Sequence, residues 1–239
     1  MSMVFISATG TDIGKTFVTS LLLKSALKAN MKADMKADMT CTALKPVISG
    51  FSTEEMEISD SGQLLLAQGK PVTEDAIAEI SPWRFAPPLS PDMAAARAGV
   101  TLETTEIVGF CRQKNSPDRI TLIEGVGGVM VPLNNHDTTL DWQAALHDKG
   151  CASLLVAGTY LGTMSHTLTA LAALAQRGIT PAALILNTSP ESPVPAEETA
   201  AALSRYIGNI PVFIIPRDAQ AAPDGLLRLL GEHHGTQTN

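Results

Sequence analysis

The chain has 239 residues, of which 45% are hydrophobic and 17% charged, with a formal net charge of −7. That length is enough for an α/β domain with a well-buried core, and an acidic chain without a lysine or arginine cluster argues against non-specific nucleic-acid binding. Cys41, Cys111 and Cys151 lack metal-ligand spacing, no apolar run is long enough for a bilayer, and the chain enters a strand with no leader-like stretch before it, so a reducing, cytoplasmic setting away from membranes is expected.

The first element is a short apolar run, Val4 to Ser7, read as a buried strand. A turn of small and polar residues, Ala8 to Gly14, leads to Lys15, Thr16 and then apolar residues at helical spacing, among them Phe17, Leu21 and Leu22. Strand, glycine-bearing loop and helix in this order make a phosphate-binding loop. A helix start offers unpaired N–H groups and the positive end of a dipole, and Gly14 lets backbone approach an anion. Lys15 adds positive charge near β- and γ-phosphates, and the Thr16 hydroxyl suits Mg²⁺. The standard pattern, G-x-x-x-x-G-K-[ST], has glycine where Thr9 stands; Gly10 falls one place late. The bland alternative is an ordinary strand-to-helix turn containing Gly-Lys-Thr, and the flanking elements favour phosphate binding over it.

Residues 31–39 read MKADMKADM, a four-residue unit written twice over 31–38 and expected as a helix extension or surface loop. Thr42 to Val47 reads as a second strand, one that ends at Pro46 or lies at an edge because proline cannot donate to a ladder, and Ile48-Ser49-Gly50 continues as loop. Lys45 is either a solvated charge or a residue delivered to a ligand crevice at a sheet rim. Ser59-Asp60-Ser61 heads a helical run, Gln63 to Gln68, in which Asp60 by default caps the helix; a metal role requires folding back onto the loop at Gly14. The proline-rich segment 81–93, with Trp83 and Phe85, is expected as a rigid, irregular loop that walls a pocket or simply packs. Helical patterning returns at Thr101 to Arg112.

Arg119 to Glu124 is the next strand, followed by Gly125-Val126-Gly127-Gly128. An acid ending an apolar strand beside a phosphate loop suits Mg²⁺ binding, in preference to a mere strand-end turn. Ala152 to Ala157, Ala182 to Asn187 and Pro211 to Ile215 are further buried strands, alternating with helices at Leu140–His147, Ser165–Arg177 and Ala196–Ile207. Gly158 to His166 taken alone is an ordinary helix start, and Asn187 carries the donor and acceptor needed for an adenine edge. The tail from Asp224 is expected to fray over 232–239, its paired histidines without a role. The whole reads as one α/β domain over 1–239: a doubly wound, mostly parallel sheet with helices on both faces, of the P-loop NTPase type. Right-handed crossovers then gather Lys45, Glu124, Gly158, Asn187 and Pro216 on one rim.

The segments ATGTDIGKT, ALKPVISG, ISD, IEGVGGVMVPL, YLGTMSHTL and LILN, in that order over Val4 to Pro216, resemble the dethiobiotin synthetase family, ATP-dependent enzymes of biotin synthesis. The resemblance implies that Lys15 and the backbone from Gly14 to Phe17 hold the ATP phosphates, and that Thr16, Asp60 and Glu124 surround Mg²⁺. It implies that Lys45, with Ser49 nearby, stabilises a carbamate and the transferred phosphoryl group, and that Thr11 and Asp12 lie beside substrate and γ-phosphate. Asn187 then reads adenine, with the Ile215-Pro216 backbone on its other side. Leu161, Gly162, Thr163, Met164 and Ser165 match the helix start that receives the substrate carboxylate from a partner subunit, which implies a homodimer with shared sites. Two departures stand out: the loop is two residues shorter than the longer family form G-T-D-T-x-x-G-K-T, and the MKAD duplication lengthens the route into the Lys45 strand.

In that family 7,8-diaminopelargonate takes up CO₂ as a carbamate, ATP phosphorylates it to a mixed anhydride, and the second amine closes a cyclic urea. The rival readings are a partitioning or division-site switch ATPase, whose loop carries a second, early lysine that this chain lacks before Lys15, and a cobyrinate-type amidoligase, which usually carries a further domain.

Overall fold

A computed structural model describes residues 2–31, 40–116 and 118–235. The chain runs β1 (Ser2–Ala8), α1 (Lys15–Met31), β2 (Thr40–Leu44), β3 (Val47–Ser49), α2 (Asp60–Ala67), α3 (Glu74–Ile80), β4 (Trp83–Phe85), α4 (Pro91–Arg97) and α5 (Thr104–Lys114). It continues with β5 (Arg119–Glu124), α6 (Thr139–His147), β6 (Ala152–Ala157), α7 (Thr163–Gln176), β7 (Ala183–Asn187), α8 (Ala196–Ser204), β8 (Val212–Ile215) and α9 (Asp224–Gly235). Six strands form one sheet in the order β2-β5-β1-β6-β7-β8, and every pairing in it is parallel. The four central strands are rich in Val, Ile, Leu, Phe and Ala and almost wholly buried, as a sheet covered on both faces requires.

Connections leave the centre in opposite directions. β1 crosses to β2 on one side through α1, while β5, β6, β7 and β8 step towards the other edge through α6, α7 and α8. With right-handed crossovers the two sets of helices lie on opposite faces. One buried cluster holds Val18 and Leu22 of α1 and Leu226 of α9, and reaches round to Trp142 and Leu146 of α6. A second holds Ala170 and Leu174 of α7 and Leu203 of α8. β6 alternates between them, Leu154 and Val156 to the first, Leu155 and Ala157 to the second. The Phe5 ring meets Trp142 of α6 edge-on, centroids 4.8 Å apart, and lies under Gly125, where a Cβ would sit 3.0 Å from it. This is the doubly wound α/β fold, and the connections from β1 and β6 diverge at the strands' carboxyl ends.

Local structure departs from the sequence reading where proline and polar residues interrupt the pattern. The expected strand Thr42–Val47 is two strands: β2 stops before Lys45-Pro46, and Val47–Ser49, expected in part as loop, pairs in parallel with β4 in a separate two-stranded sheet. Both sequence alternatives for Pro46 hold, since β2 also lies at the edge. The segment 81–93 is not irregular throughout: it contains β4 and enters α4, with Pro91 in the first turn. Asp60 does not cap α2. Ser59 does, its Oγ accepting from Gly62 N at 3.1 Å, which leaves the Asp60 carboxylate free for the site. α3 and α9 are helices beyond those expected; the i, i+4 pair Leu226 and Leu230 seats α9 on the core, and α9 carries the backbone to Gly235, into the tail expected to fray. The MKAD duplication beyond Met31 lies outside the described residues. Among the described residues no helix is long and apolar enough to cross a membrane.

α2 is seated by a close backbone approach: a Cβ on Gly62 would lie 1.9 Å from Met56 O. Gly109, in α5, has nothing within 4 Å of such a position. Gly62→Ala is therefore expected to cost about 3 kcal/mol through overpacking, whereas Gly109→Ala stabilises by up to about 1 kcal/mol. Urea unfolding midpoints check both, and equal shifts for the two would refute the contact.

Candidate active site

Strand β1 ends at Ala8, and Thr9 N still donates to Val156 O at 3.0 Å before the chain turns into the loop. Six residues, Thr9 to Gly14, separate strand from helix, so Thr9 takes the place of the standard first glycine. Among the described non-glycine residues only Asp12 has a positive φ (57°), while Gly14 has φ 92°. Glycine at 14 is also demanded sterically, because a Cβ there would lie 2.2 Å from Asn187 Nδ2. On the other side of the loop, a Cβ on Gly128 would lie 3.2 Å from Gly10 Cα. The phosphate-type loop is thus clasped between the loops after β5 and β7.

Lys15, 6% exposed, donates from Nζ to Gly127 O at 2.8 Å and to Gly10 O at 3.2 Å. The β5 loop therefore holds this lysine through a backbone carbonyl, a partner the side-chain pattern did not signal. Burial and then the Lys45 ammonium push Lys15 down to about 8, while Glu124 and the aspartates oppose the shift.

Lys45 is 2% exposed and its Nζ lies 2.7 Å from Glu124 Oε1, 3.0 Å from Asp60 Oδ2 and 3.0 Å from Gly125 O. Burial would lower its pKa, but the Glu124 and Asp60 charges overcome that and hold it at about 12. Burial alone would likewise raise Asp60; the Lys45 ammonium and its hydrogen bond bring that carboxyl below its ordinary value. Thr16 Oγ1 donates to the same Glu124 oxygen at 2.8 Å. Thr16, Asp60 and Glu124, the three residues assigned to the metal, therefore meet at one point with Lys45 among them. Glu124 Oε2 is buried without a hydrogen-bond partner, a free hard oxygen facing that cluster. Two carboxylates and a hydroxyl fit Mg²⁺, which takes oxygen donors, retains waters and completes its shell with substrate phosphate. Among the described residues no trio of His, Cys, Asp or Glu offers a site for a more heavily ligated metal.

Thr11, Asp12, Gly14, Lys15, Thr16, Lys45, Ser49 and Asp60 all line one cavity of about 970 Å³, closed on its far side by Pro88 to Pro91. Ser49 Oγ is buried and unpartnered there. Asn187 faces a separate cavity of about 330 Å³ beyond Asp12 and Ile13. Its Nδ2 donates to Ile13 O at 2.9 Å, and its Oδ1 is buried without a partner, an acceptor available to an amino group. Phe17 packs its side chain against the core, so only its backbone is available to a ligand. Ile215 and Pro216 do not line the Asn187 cavity; Arg217, which sequence reasoning passed over, does. Leu161 to Ser165 line neither cavity. They form the start of α7, where Gly162 has φ 99°, Thr163 Oγ1 donates to Gly158 O and Leu161 is 85% exposed.

A family model described as an AAA domain matches residues 2–223. The chain is 45% identical over 218 residues to a protein of Acidiphilium cryptum (strain JF-5), covering 90% of this chain and 93% of that one, which is named ATP-dependent dethiobiotin synthetase BioD. It is 40% identical over 232 residues to a protein of the same name from Methylobacterium nodulans, covering 95% and 98% of the two chains. Among solved structures it resembles the septum site-determining protein MinD from Pyrococcus horikoshii OT3, with a TM-score of 0.52, 14% identity and 100% and 98% coverage, a likeness of fold.

The charge cluster yields a stability prediction. Glu124→Gln leaves a buried ammonium short of half its counter-charge and is expected to cost about 3 kcal/mol. Asp60→Asn, at a side chain 41% exposed, is expected to cost under about 1 kcal/mol. Urea unfolding of the ligand-free protein compares them; a larger loss for Asp60→Asn would mean Lys45 depends on the exposed partner instead.

Proposed function

The chain belongs to the ATP-dependent dethiobiotin synthetase family, and from that membership we propose that it closes a cyclic urea on 7,8-diaminopelargonate with CO₂ and ATP. The observation that carries the reading is the gathering of Lys15, Lys45, Thr16 and Asp60 on one cavity at the carboxyl rim of the sheet, with Glu124 buried behind them against Lys45 and Thr16.

One amine of the substrate adds to CO₂ and loses a proton, giving a carbamate. A carbamate is a poor acylating agent because its oxygen leaves badly. A carbamate oxygen attacks the γ-phosphorus of ATP, ADP departs, and the resulting mixed anhydride carries phosphate as leaving group. The second amine attacks the carbonyl carbon, phosphate leaves with the C–O bonding pair, the attacking nitrogen gives up a proton to the departing phosphate, and the ring closes. Each stage concentrates negative charge between the γ-phosphate and the carbamate, so fixed positive charge and orientation supply most of the rate. Lys15 serves the β- and γ-phosphates from the loop. Lys45, delivered by β2 and oriented by Glu124 and Asp60, serves the carbamate and the phosphoryl group in flight, with the free Ser49 hydroxyl in the same cavity. Thr16, Asp60 and Glu124 would hold Mg²⁺, which supplies charge neutralisation at the phosphates when bound. Thr11 and Asp12 border the substrate and γ-phosphate, and Asn187 Oδ1 accepts from the adenine amino group.

The Leu161–Ser165 segment is read as serving a second copy of the chain. The exposure of Leu161 and the segment's absence from the lining of the two cavities described above support a homodimer in which this helix start meets the substrate carboxylate across the interface. The enzyme is read as cytoplasmic, a single domain without nucleic-acid or membrane partners.

ADP release measured with Mg²⁺ and bicarbonate, with and without the diamine, tests the reading together with mass detection of the cyclic urea. Turnover is expected to require the diamine; diamine-independent turnover would favour a switch ATPase. Lys45→Gln is expected to lower kcat about 10²–10³-fold, the size of losing one transition-state donor, and activity within threefold of the parent would remove Lys45 from the mechanism.

A further inference from the structure

The 330 Å³ cavity that Asn187 faces is also bounded by Tyr160, Ser189 and Arg217, and Tyr160 is the one aromatic among its described lining residues. The Tyr160 ring lies directly on the backbone of Gly158, where a Cβ would come within 2.7 Å of ring atom Cδ1. At its other end the hydroxyl lies 2.8 Å from Nδ1 of His166, with ring centroids 5.7 Å apart. His166 stands on α7 and lines a third cavity, about 380 Å³, that follows Thr9, Gly10 and Thr11 on the far side of the loop. The ring is therefore fixed at both ends: a glycine admits its body and a histidine holds its tip. Nothing in the motifs required an aromatic at this position.

We propose that Tyr160 is a nucleotide-binding residue whose ring is the face on which the base packs while Asn187 Oδ1 receives the base's amino group, and that His166 is a positioning residue acting through the Tyr160 hydroxyl. This rests on the nucleotide reading given above. Asn187 Oδ1 is free and one N–H of Nδ2 is committed to Ile13 O, so this amide can meet only the edge of a base and leaves the faces of the base unheld. A stacked ring holds a face, and base–aromatic stacking is among the larger local contributions to nucleotide affinity. α7 is thereby tied to the nucleotide at the same turn that is read as serving the second copy.

Calorimetric titration with Mg-ADP, and separately with tripolyphosphate as a probe that has phosphates and no base, tests this. Tyr160→Leu is expected to weaken Mg-ADP about tenfold and to leave tripolyphosphate within twofold. Tyr160→Phe and His166→Ala should each weaken Mg-ADP about two- to threefold, by loss of one hydrogen bond, with the double variant no worse than either. All are expected to raise the KM for ATP more than they lower kcat. Mg-ADP affinity within twofold of the parent in Tyr160→Leu, or an equal loss for both probes, would overturn the assignment of Tyr160. Additive losses for Tyr160→Phe and His166→Ala would overturn the role of His166. A parent protein that binds no Mg-ADP would instead refute the nucleotide reading itself.

Discussion

A fully buried ammonium is tenable only where opposite charge and carbonyl oxygen surround it, and Lys45 sets that condition for the whole rim of the sheet. Glu124 has to arrive at the end of β5, Asp60 at the start of α2 and Gly125 O from the turn that follows β5. The chain meets the requirement with three separate devices. Pro46 stops β2 so that Lys45 is its terminal projection, Ser59 takes over capping so that Asp60 is free, and Gly62 lets α2 approach the preceding turn. Breaking any one of them strands a charge.

The same economy of space governs the loop. Its backbone runs between Asn187 on one side and Gly128 on the other, at distances that exclude a Cβ at Gly14 and crowd one at Gly128. Lys15 is anchored by carbonyls of two different loops, and its ammonium sits close enough to Lys45 to be destabilised by it. Two buried cations in one cavity, with partial relief from two carboxylates, form a site already organised for a polyanion. Binding of phosphate relaxes an existing repulsion instead of assembling the charges from solvent, which is what electrostatic preorganisation means in practice. His166, across the loop from this cavity, engages Tyr160.

Much of this was legible in the chain because the signals are local. β5 and β6 were read to the residue from mostly apolar, β-branched and leucine-rich runs, and the acid ending β5 marked itself by closing such a run. Gly-Lys-Thr after a strand and before a helix identified the loop without its first glycine. Where local signals conflict, the reading failed. Pro46 split one expected strand into members of two sheets, and three-residue β4 is too short to announce itself amid prolines. Ser59 and Asp60 are both good caps, and only the position of Lys45 decides which of them is spent on the helix.

By itself the sequence determined a parallel sheet with its functional residues at strand ends, because covered strands must be apolar throughout and right-handed crossovers bring their carboxyl ends to one side. It also carried the phosphate-loop signature and the candidate lysines, acids and amide that the fold brings to that rim. Only the tertiary structure decided that Lys45 is shared by Glu124 and Asp60, that Gly127 holds Lys15, and that Tyr160 and Arg217 border the Asn187 cavity. Those are contacts between strands and loops far apart in the chain, and their geometry follows from how the sheet twists and how closely glycines let backbones approach, neither of which a linear pattern records.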